Sequence, residues 1–338
     1  MAELRPLGRD RPDLTVPFLL PGLTDLQVNG GGGVLFNADP SPDGIAAIIA
    51  AHRALGTAAI LPTLISDAPE VMEAAAAAVI AARGMPGLAG IHLEGPHIAP
   101  ARRGTHEARH IRPLDARSMA VLERLRAAGV PVLLTLAPET AAPDLLAQAR
   151  ALGVVLSAGH STADAARTRA ALDAGVTMFT HLFNAMPPMT SREPGIAAAA
   201  ILSGAWCGLI ADGIHVSAEM LAIAMAARPR GDRCILVSDA MPTVGGGETF
   251  ALYGRRITLR EGRLVNDEGA LAGAHLWLAE AVRRLVAMTG IAPARAFAMA
   301  GDLPRRAMGL APLRIRPGLP AAELLALDED LRPVPLPR

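Results

Sequence analysis

Residues 153–186 read GVVLSAGHSTADAARTRAALDAGVTMFTHLFNAM. Two short apolar runs, 153–161 and 176–186, flank an alanine-rich stretch from Ala163 to Ala174. The runs are too short for buried helices and are bounded by glycine, so they read as strands. Alanine is the strongest helix former, so the stretch between them reads as a helix and not as a low-complexity spacer. A helix carrying the chain back between two buried strands makes them parallel neighbours with a right-handed crossover. Both runs also place a histidine at or near the carboxyl end, His160 and His181.

The same alternation extends in both directions. The strand candidates are LPGLTDLQVNG, TAAILPTLIS, LAGIHLEGP, VPVLLTLAPE, GVVLSAGHS, VTMFTHLFNAM, CGLIADGIHV and CILVSDAMP. Helical candidates between them include Asp43–Leu55, Pro69–Arg83, Ala116–Ala128 and Ala218–Ala227. About eight such units predict an α/β fold, a closed (β/α)₈ TIM-type barrel. An open doubly wound sheet is the alternative. No G-x-G-x-x-G follows the first strand, which argues against a dinucleotide site. The barrel is expected over 21–310. ALYGRRITLREGRLV alternates apolar and polar residues about Gly262 and predicts a β-hairpin insertion near 248–266. Helices are expected from His275 to Met288 and from Pro293. Residues 1–20 and 311–338 together predict a small β domain built from both termini.

Composition narrows the function. Hydrophobic residues make up 51% of the 338 and aromatic residues only 3%, so the core is aliphatic. The 32 acidic and 32 basic residues balance, which argues against nucleic acid or an anionic membrane surface as partner. No apolar run reaches the roughly 18 residues that span a bilayer. The charged N-terminal stretch MAELRPLGRDRPDL has no signal-peptide core. Cys207 and Cys234 have no metal-like spacing and read as buried free thiols. These features fit a cytoplasmic protein. Every Lys/Arg position is arginine. Schiff-base chemistry, a P-loop lysine and a carbamylated-lysine metal bridge are therefore excluded.

The polar residues sit at strand ends. Glu94 closes the third strand, His160 the fifth, His181 the sixth, Asp212 and His215 the seventh, and Asp239 the eighth. A single strand histidine is usually a satisfied structural residue. In a barrel, however, all these ends converge on one mouth, where active sites lie. Unpaired ionisable groups are costly to bury, and a shared metal gives them a purpose. One carboxylate and two imidazoles form a common catalytic zinc set with a position left for water. Asp239 is open to three readings: a fourth ligand, a salt-bridge partner or a general base. RRGTHEARHIR, with His106 and His110, reads either as a substrate-contacting loop or as a solvated basic loop. SREPG at 191–195 reads either as an anion anchor or as a surface turn.

Taken together, PGLTDLQVNGGGG, GIHLEGPHI, GTH at 104–106, SAGHSTAD, THLFNAMPPMTSREPG, DGIHV, LVSDAMP and ALAG at 270–273 resemble the N-acetylglucosamine-6-phosphate deacetylases of the amidohydrolase superfamily. The motifs run in family order from residue 21 to about 275, and HLEGP with HLFNAM and REPG is specific to that family. The resemblance implies Glu94, His160 and His181 as ligands of a divalent metal ion. It implies Asp239 as the base that activates a metal-bound water and then as the acid that protonates the leaving amine. His106 would meet the acetamide carbonyl. Asn184, the Ala185 backbone, Arg192 and His215 would bind sugar phosphate, the last two across a homodimer interface. Leu271 would pack near the acetyl group. The segment before the first barrel strand is shorter than in the family, so its β-sandwich is expected to be reduced. A related N-acetylhexosamine 6-phosphate, such as that of N-acetylgalactosamine, is an alternative substrate. A dihydroorotase-like reaction is disfavoured by the missing lysine. A catalytically silent sugar-phosphate binder is disfavoured because Glu94, His160, His181 and Asp239 are all present.

One stretch sets the expected metal count. Barrel amidohydrolases commonly end the first strand in His-x-His, which holds a second metal. Here the residues are Gln27, Val28 and Asn29. Carboxamides are weak ligands for zinc-like ions. One ion per chain is therefore expected, zinc or another divalent ion such as iron, with Gln27 and Asn29 as hydrogen-bonding or substrate-lining groups.

Overall fold

The computed structural model describes residues 14–266 and 269–336. Eight parallel strands form one sheet: Leu23–Val28 (β1), Thr57–Ile65 (β2), Ile91–Glu94 (β3), Val132–Leu136 (β4), Val155–Ala158 (β5), Met178–Phe179 (β6), Trp206–Leu209 (β7) and Cys234–Leu236 (β8). Each pairs with its sequence neighbour in unbroken order from β8 to β1. Closure comes from backbone bonds beyond the strand ends. Asp239 N donates to Gln27 O at 3.0 Å and Asn29 N donates to Ala240 O at 2.9 Å. Below them, the Asp25 carboxylate accepts Ser238 N at 3.2 Å, so β1 is also stapled to the end of β8 by a side chain. The result is the (β/α)₈ barrel. Among the described residues, no helix is long and apolar enough to cross a membrane.

The unit quoted first shows how local chemistry sets the elements. Asp164 caps the helix Ala165–Ala174 by accepting Arg167 N at 2.7 Å. Gly175 ends the helix with φ 116°, a left-handed conformation that suits glycine. The chain is thereby delivered to β6. The barrel strands are buried on both faces, inside by the barrel filling and outside by the helices, which is why they read as continuous apolar runs. Cys207 and Cys234, opposite one another on β7 and β8, are both buried and free.

Two smaller sheets flank the barrel. Phe18–Pro21 pairs antiparallel with Leu324–Leu327, which pairs with Pro333–Val334. This layer uses both ends of the chain; residues 1–13, included in the expected terminal domain, lie outside the described residues. The stretch read as a single hairpin is larger. Thr249–Leu252, Arg255–Arg260, Arg263–Val265 and Leu271–Ala274 form a four-stranded antiparallel sheet. Its apolar face, with Leu252, Ile257, Leu264 and Ala272, packs on Leu35, Ile65 and Met241 from the barrel mouth. The small residues of its last strand carry little β signal, which is why the alternation pattern ended too early.

The glycine run after β1 is held by close backbone approach. Gly32 N donates to Val244 O at 2.8 Å and Gly33 N donates to Pro242 O at 2.9 Å. A Cβ on Gly246 would stand 2.4 Å from both Gly33 N and Pro242 O. Neither atom is a flexible side-chain end, so relief requires moving the main chain. Gly246→Ala is expected to destabilise the fold by about 1–3 kcal/mol, the usual range for overpacking. Denaturant titration checks this; an unchanged midpoint would show that the two loops separate freely.

Candidate active site

The strand ends bring the ionisable residues to one point. Glu94 is the last residue of β3 and is 2% exposed. His160 and His181 each lie two residues beyond a strand, after β5 and β6. His160 Nε2 stands 3.1 Å from Glu94 Oε1, and His181 Nε2 stands 2.9 Å from the same oxygen. The two Nε2 atoms are 3.0 Å apart. Five residues at this mouth have left-handed backbones without being glycine: His160, His181, Phe183, Ala185 and Asp239, with φ between 28° and 78°. Each costs on the order of 1–3 kcal/mol, and such strain gathers where a site demands particular directions.

The donor set suits a divalent cation. His160 Nδ1 lies 2.8 Å from the Arg102 carbonyl, which can only accept. The ring proton therefore sits on Nδ1, and the Nε2 lone pair faces Glu94 and His181. A lone pair and a carboxylate oxygen meeting at about 3 Å repel unless a cation lies between them. Among the described residues, Glu94, His160 and His181 form the one group of three metal-capable side chains, with ligand atoms within 4.8 Å of one another.

Asp239 faces this group from just beyond β8. Burial, and then the charge of Glu94, push its carboxyl up to about 6. The paired carboxamides lie between the two acids. Gln27 Nε2 donates to both Glu94 oxygens and to Asp239 Oδ1, each at 3.1 Å. Asn29 Nδ2 donates to Asp239 Oδ1 at 2.7 Å. The amide N–H groups of Gln27 and Asn29 thus go to carboxylates.

A cavity of about 170 Å³ opens over these groups. Its lining brings together Asn29, Glu94, His106, His160, His181, Asn184, Ala185, His215, Asp239 and Leu271, all of them singled out in the sequence. Gln27 lies behind the carboxylates and is 2% exposed. Arg192 is exposed and stands outside this cavity, as does His110. His215 is oriented by its neighbour: Asp212 Oδ2 lies 2.6 Å from His215 Nδ1, so Nε2 is left for the pocket. Burial, and then the nearby His160, push the His106 imidazole down to about 3, so it is neutral at working pH. Ile65, Gly104, Thr105, Ile210, Met241 and Gly273 complete the wall. Sequence reasoning assigned these six no role of their own, although Ile65, Ile210 and Met241 lie in strand candidates already marked and Gly104, Thr105 and Gly273 lie in the GTH and ALAG motifs.

Comparison with known proteins identifies relatives of the chain. No protein-family model matches the chain. An N-acetylgalactosamine-6-phosphate deacetylase of Shewanella sp. (strain ANA-3) is 41% identical over 303 residues, 87% of this chain and 76% of its own. An N-acetylglucosamine-6-phosphate deacetylase of Bos taurus is 33% identical over 325 residues, 91% of this chain and 78% of its own. The structure of an Asp-to-Ala variant of the Mycobacterium smegmatis N-acetyl-D-glucosamine-6-phosphate deacetylase, in complex with N-acetyl-D-glucosamine 6-phosphate, is also similar. It superposes with a TM-score of 0.85 at 32% identity, covering 93% of this chain and 84% of that one. With the same barrel and this identity over more than three quarters of its relatives' length, the chain belongs to the N-acetylglucosamine-6-phosphate deacetylase family of the amidohydrolase superfamily.

Proposed function

We propose that the protein hydrolyses the acetamide of N-acetylglucosamine 6-phosphate to acetate and glucosamine 6-phosphate. The observation that carries this reading is the cavity in which Asp239 faces the Glu94, His160 and His181 donor set with His106 alongside. Glu94, His160 and His181 would hold one divalent ion, zinc or another such as iron. When bound, such an ion polarises a carbonyl and lowers the pKa of water from about 15.7 toward about 7. The remaining steps belong to the chain. Asp239, held at Oδ1 by Gln27 and Asn29, takes the proton of the attacking water and returns it to the leaving nitrogen. His106, a neutral ring, donates a hydrogen bond to the carbonyl oxygen as negative charge develops there. Leu271 packs near the acetyl methyl. Asn184, the Ala185 backbone and His215 bind the sugar phosphate.

Arg192 supplies the guanidinium fork for the phosphate. Its exposed position outside the cavity of its own chain supports a homodimer in which it serves the neighbouring copy. The balanced charge, the lack of a membrane-spanning helix among the described residues and a sugar-phosphate substrate together support a cytoplasmic location. A second reading, the galactosamine epimer as physiological substrate, is favoured by the 41% identity to the Shewanella enzyme.

Acetate release over a panel of N-acetyl sugars tests both readings. The 6-phosphorylated sugars are expected to exceed their unphosphorylated forms by at least about 100-fold in kcat/KM, the loss of one or two charge-assisted hydrogen bonds. Equal rates with and without phosphate would refute the phosphate site. The better 6-phosphate names the physiological sugar.

A further inference from the structure

The oxyanion-side histidine is held by a residue outside the motifs that mark the site. Ser66 immediately follows β2, is 1% exposed, and reaches His106, itself 2% exposed on the loop after β3. Two groups of Ser66 meet the same ring nitrogen. Its hydroxyl lies 2.7 Å from His106 Nδ1, and its backbone N–H donates to that atom at 3.3 Å. The hydroxyl could donate or accept, but a backbone N–H only donates. A proton on Nδ1 would collide with it. Nδ1 is therefore the acceptor, and the ring proton resides on Nε2.

Ser66 is itself immobilised from three sides. Tyr253, on the turn between the first two strands of the inserted sheet, donates its hydroxyl to Ser66 O and has φ 51°. Asn37 clamps the preceding residue, accepting Ile65 N at 3.1 Å and donating to Ile65 O at 3.0 Å. A Cβ on Gly95 would stand 2.4 Å from Ser66 Oγ, so the hydroxyl occupies space that a glycine leaves open.

We propose that Ser66 is a positioning residue that fixes His106 in the Nε2–H tautomer, so that the ring presents a donor to the amide carbonyl oxygen. This rests on the reading of His106 as the group that meets the carbonyl. The inserted sheet acquires a role through Tyr253, since it locks the main chain from which the Ser66 N–H projects. In the opposite tautomer, with Nδ1 protonated, Nε2 would offer a lone pair to a developing oxyanion and repel it.

The test uses the zinc-loaded enzyme with histidine labelled in ¹⁵N, read by long-range ¹H–¹⁵N spectra. The wild type is expected to show His106 Nδ1 unprotonated and Nε2 protonated; a protonated Nδ1 overturns the proposal. Ser66→Ala keeps the backbone donor and loses the hydroxyl. It is expected to lower kcat about tenfold, less than the ~10²–10³ for losing an oxyanion donor outright because the backbone N–H still holds the ring, with KM within about twofold. In a His106→Ala background the same substitution should cost nothing more, because the two act as a unit. An equal additional loss there would make Ser66 a structural residue only and overturn the proposal. His106→Ala with normal turnover would instead remove the carbonyl reading, while the spectrum still decides the tautomer.

Discussion

Asp239→Asn is expected to abolish turnover, by on the order of 10²–10⁴ in kcat, the range for losing general acid–base catalysis. The variant should still bind about one divalent ion per chain. Asn and Asp have nearly the same shape, and the Asn carbonyl oxygen can still accept the two amide N–H groups that Gln27 and Asn29 aim at Oδ1. The site's geometry should therefore survive. An amide cannot take a proton from water or return one to nitrogen near neutral pH, so both proton transfers fail together. The measurement pairs acetate release with elemental analysis. Activity within tenfold of wild type would remove Asp239 as the proton carrier; loss of the ion with the activity would make it a ligand.

The second large effect is on ion binding. Glu94 is the only anion among the three converging side chains. Glu94→Gln leaves a divalent cation with two imidazoles and an amide as its ligands, none of which carries a charge. Ion content after dialysis is expected to fall at least tenfold and turnover to reach background. A thermal shift separates this from misfolding. A ligand that binds only the native state at 100 times its Kd adds about 2.7 kcal/mol of stability. Wild type should therefore melt higher when zinc is added, and Glu94→Gln should melt at one temperature with or without it. A stoichiometric, stabilising ion in the variant would show that the ligand set is misassigned.

Much of this was legible in the sequence, for a definite reason. Strands buried on both faces are largely apolar, so an ionisable residue at a strand end stands out. Glu94, His160, His181 and Asp239 stood out in this way, and β1 to β8 fall within the apolar runs quoted, except that β7 begins one residue earlier, at Trp206. What could not be read were contacts made across long stretches of chain. Tyr253 meets Ser66 from 187 residues away and His106 from 40. No period links such positions, and serine and tyrosine carry no metal-binding signature. The inserted sheet was under-read for a different reason. Its last strand, LAGA, offers almost no side chain from which a strand can be recognised.

Gln27 has a consequence beyond its three hydrogen bonds. One side-chain nitrogen stands 3.1 Å from the carboxylate that would hold the ion and 3.1 Å from the carboxylate that would carry the proton. The separation of those two acids is therefore gauged by an amide of fixed size on β1, and β1 is also the strand at which the barrel closes. A slip in the closure of the cylinder would move the gauge. The seam of the barrel and the spacing of its chemistry are a single mechanical dimension, so selection on one is selection on the other.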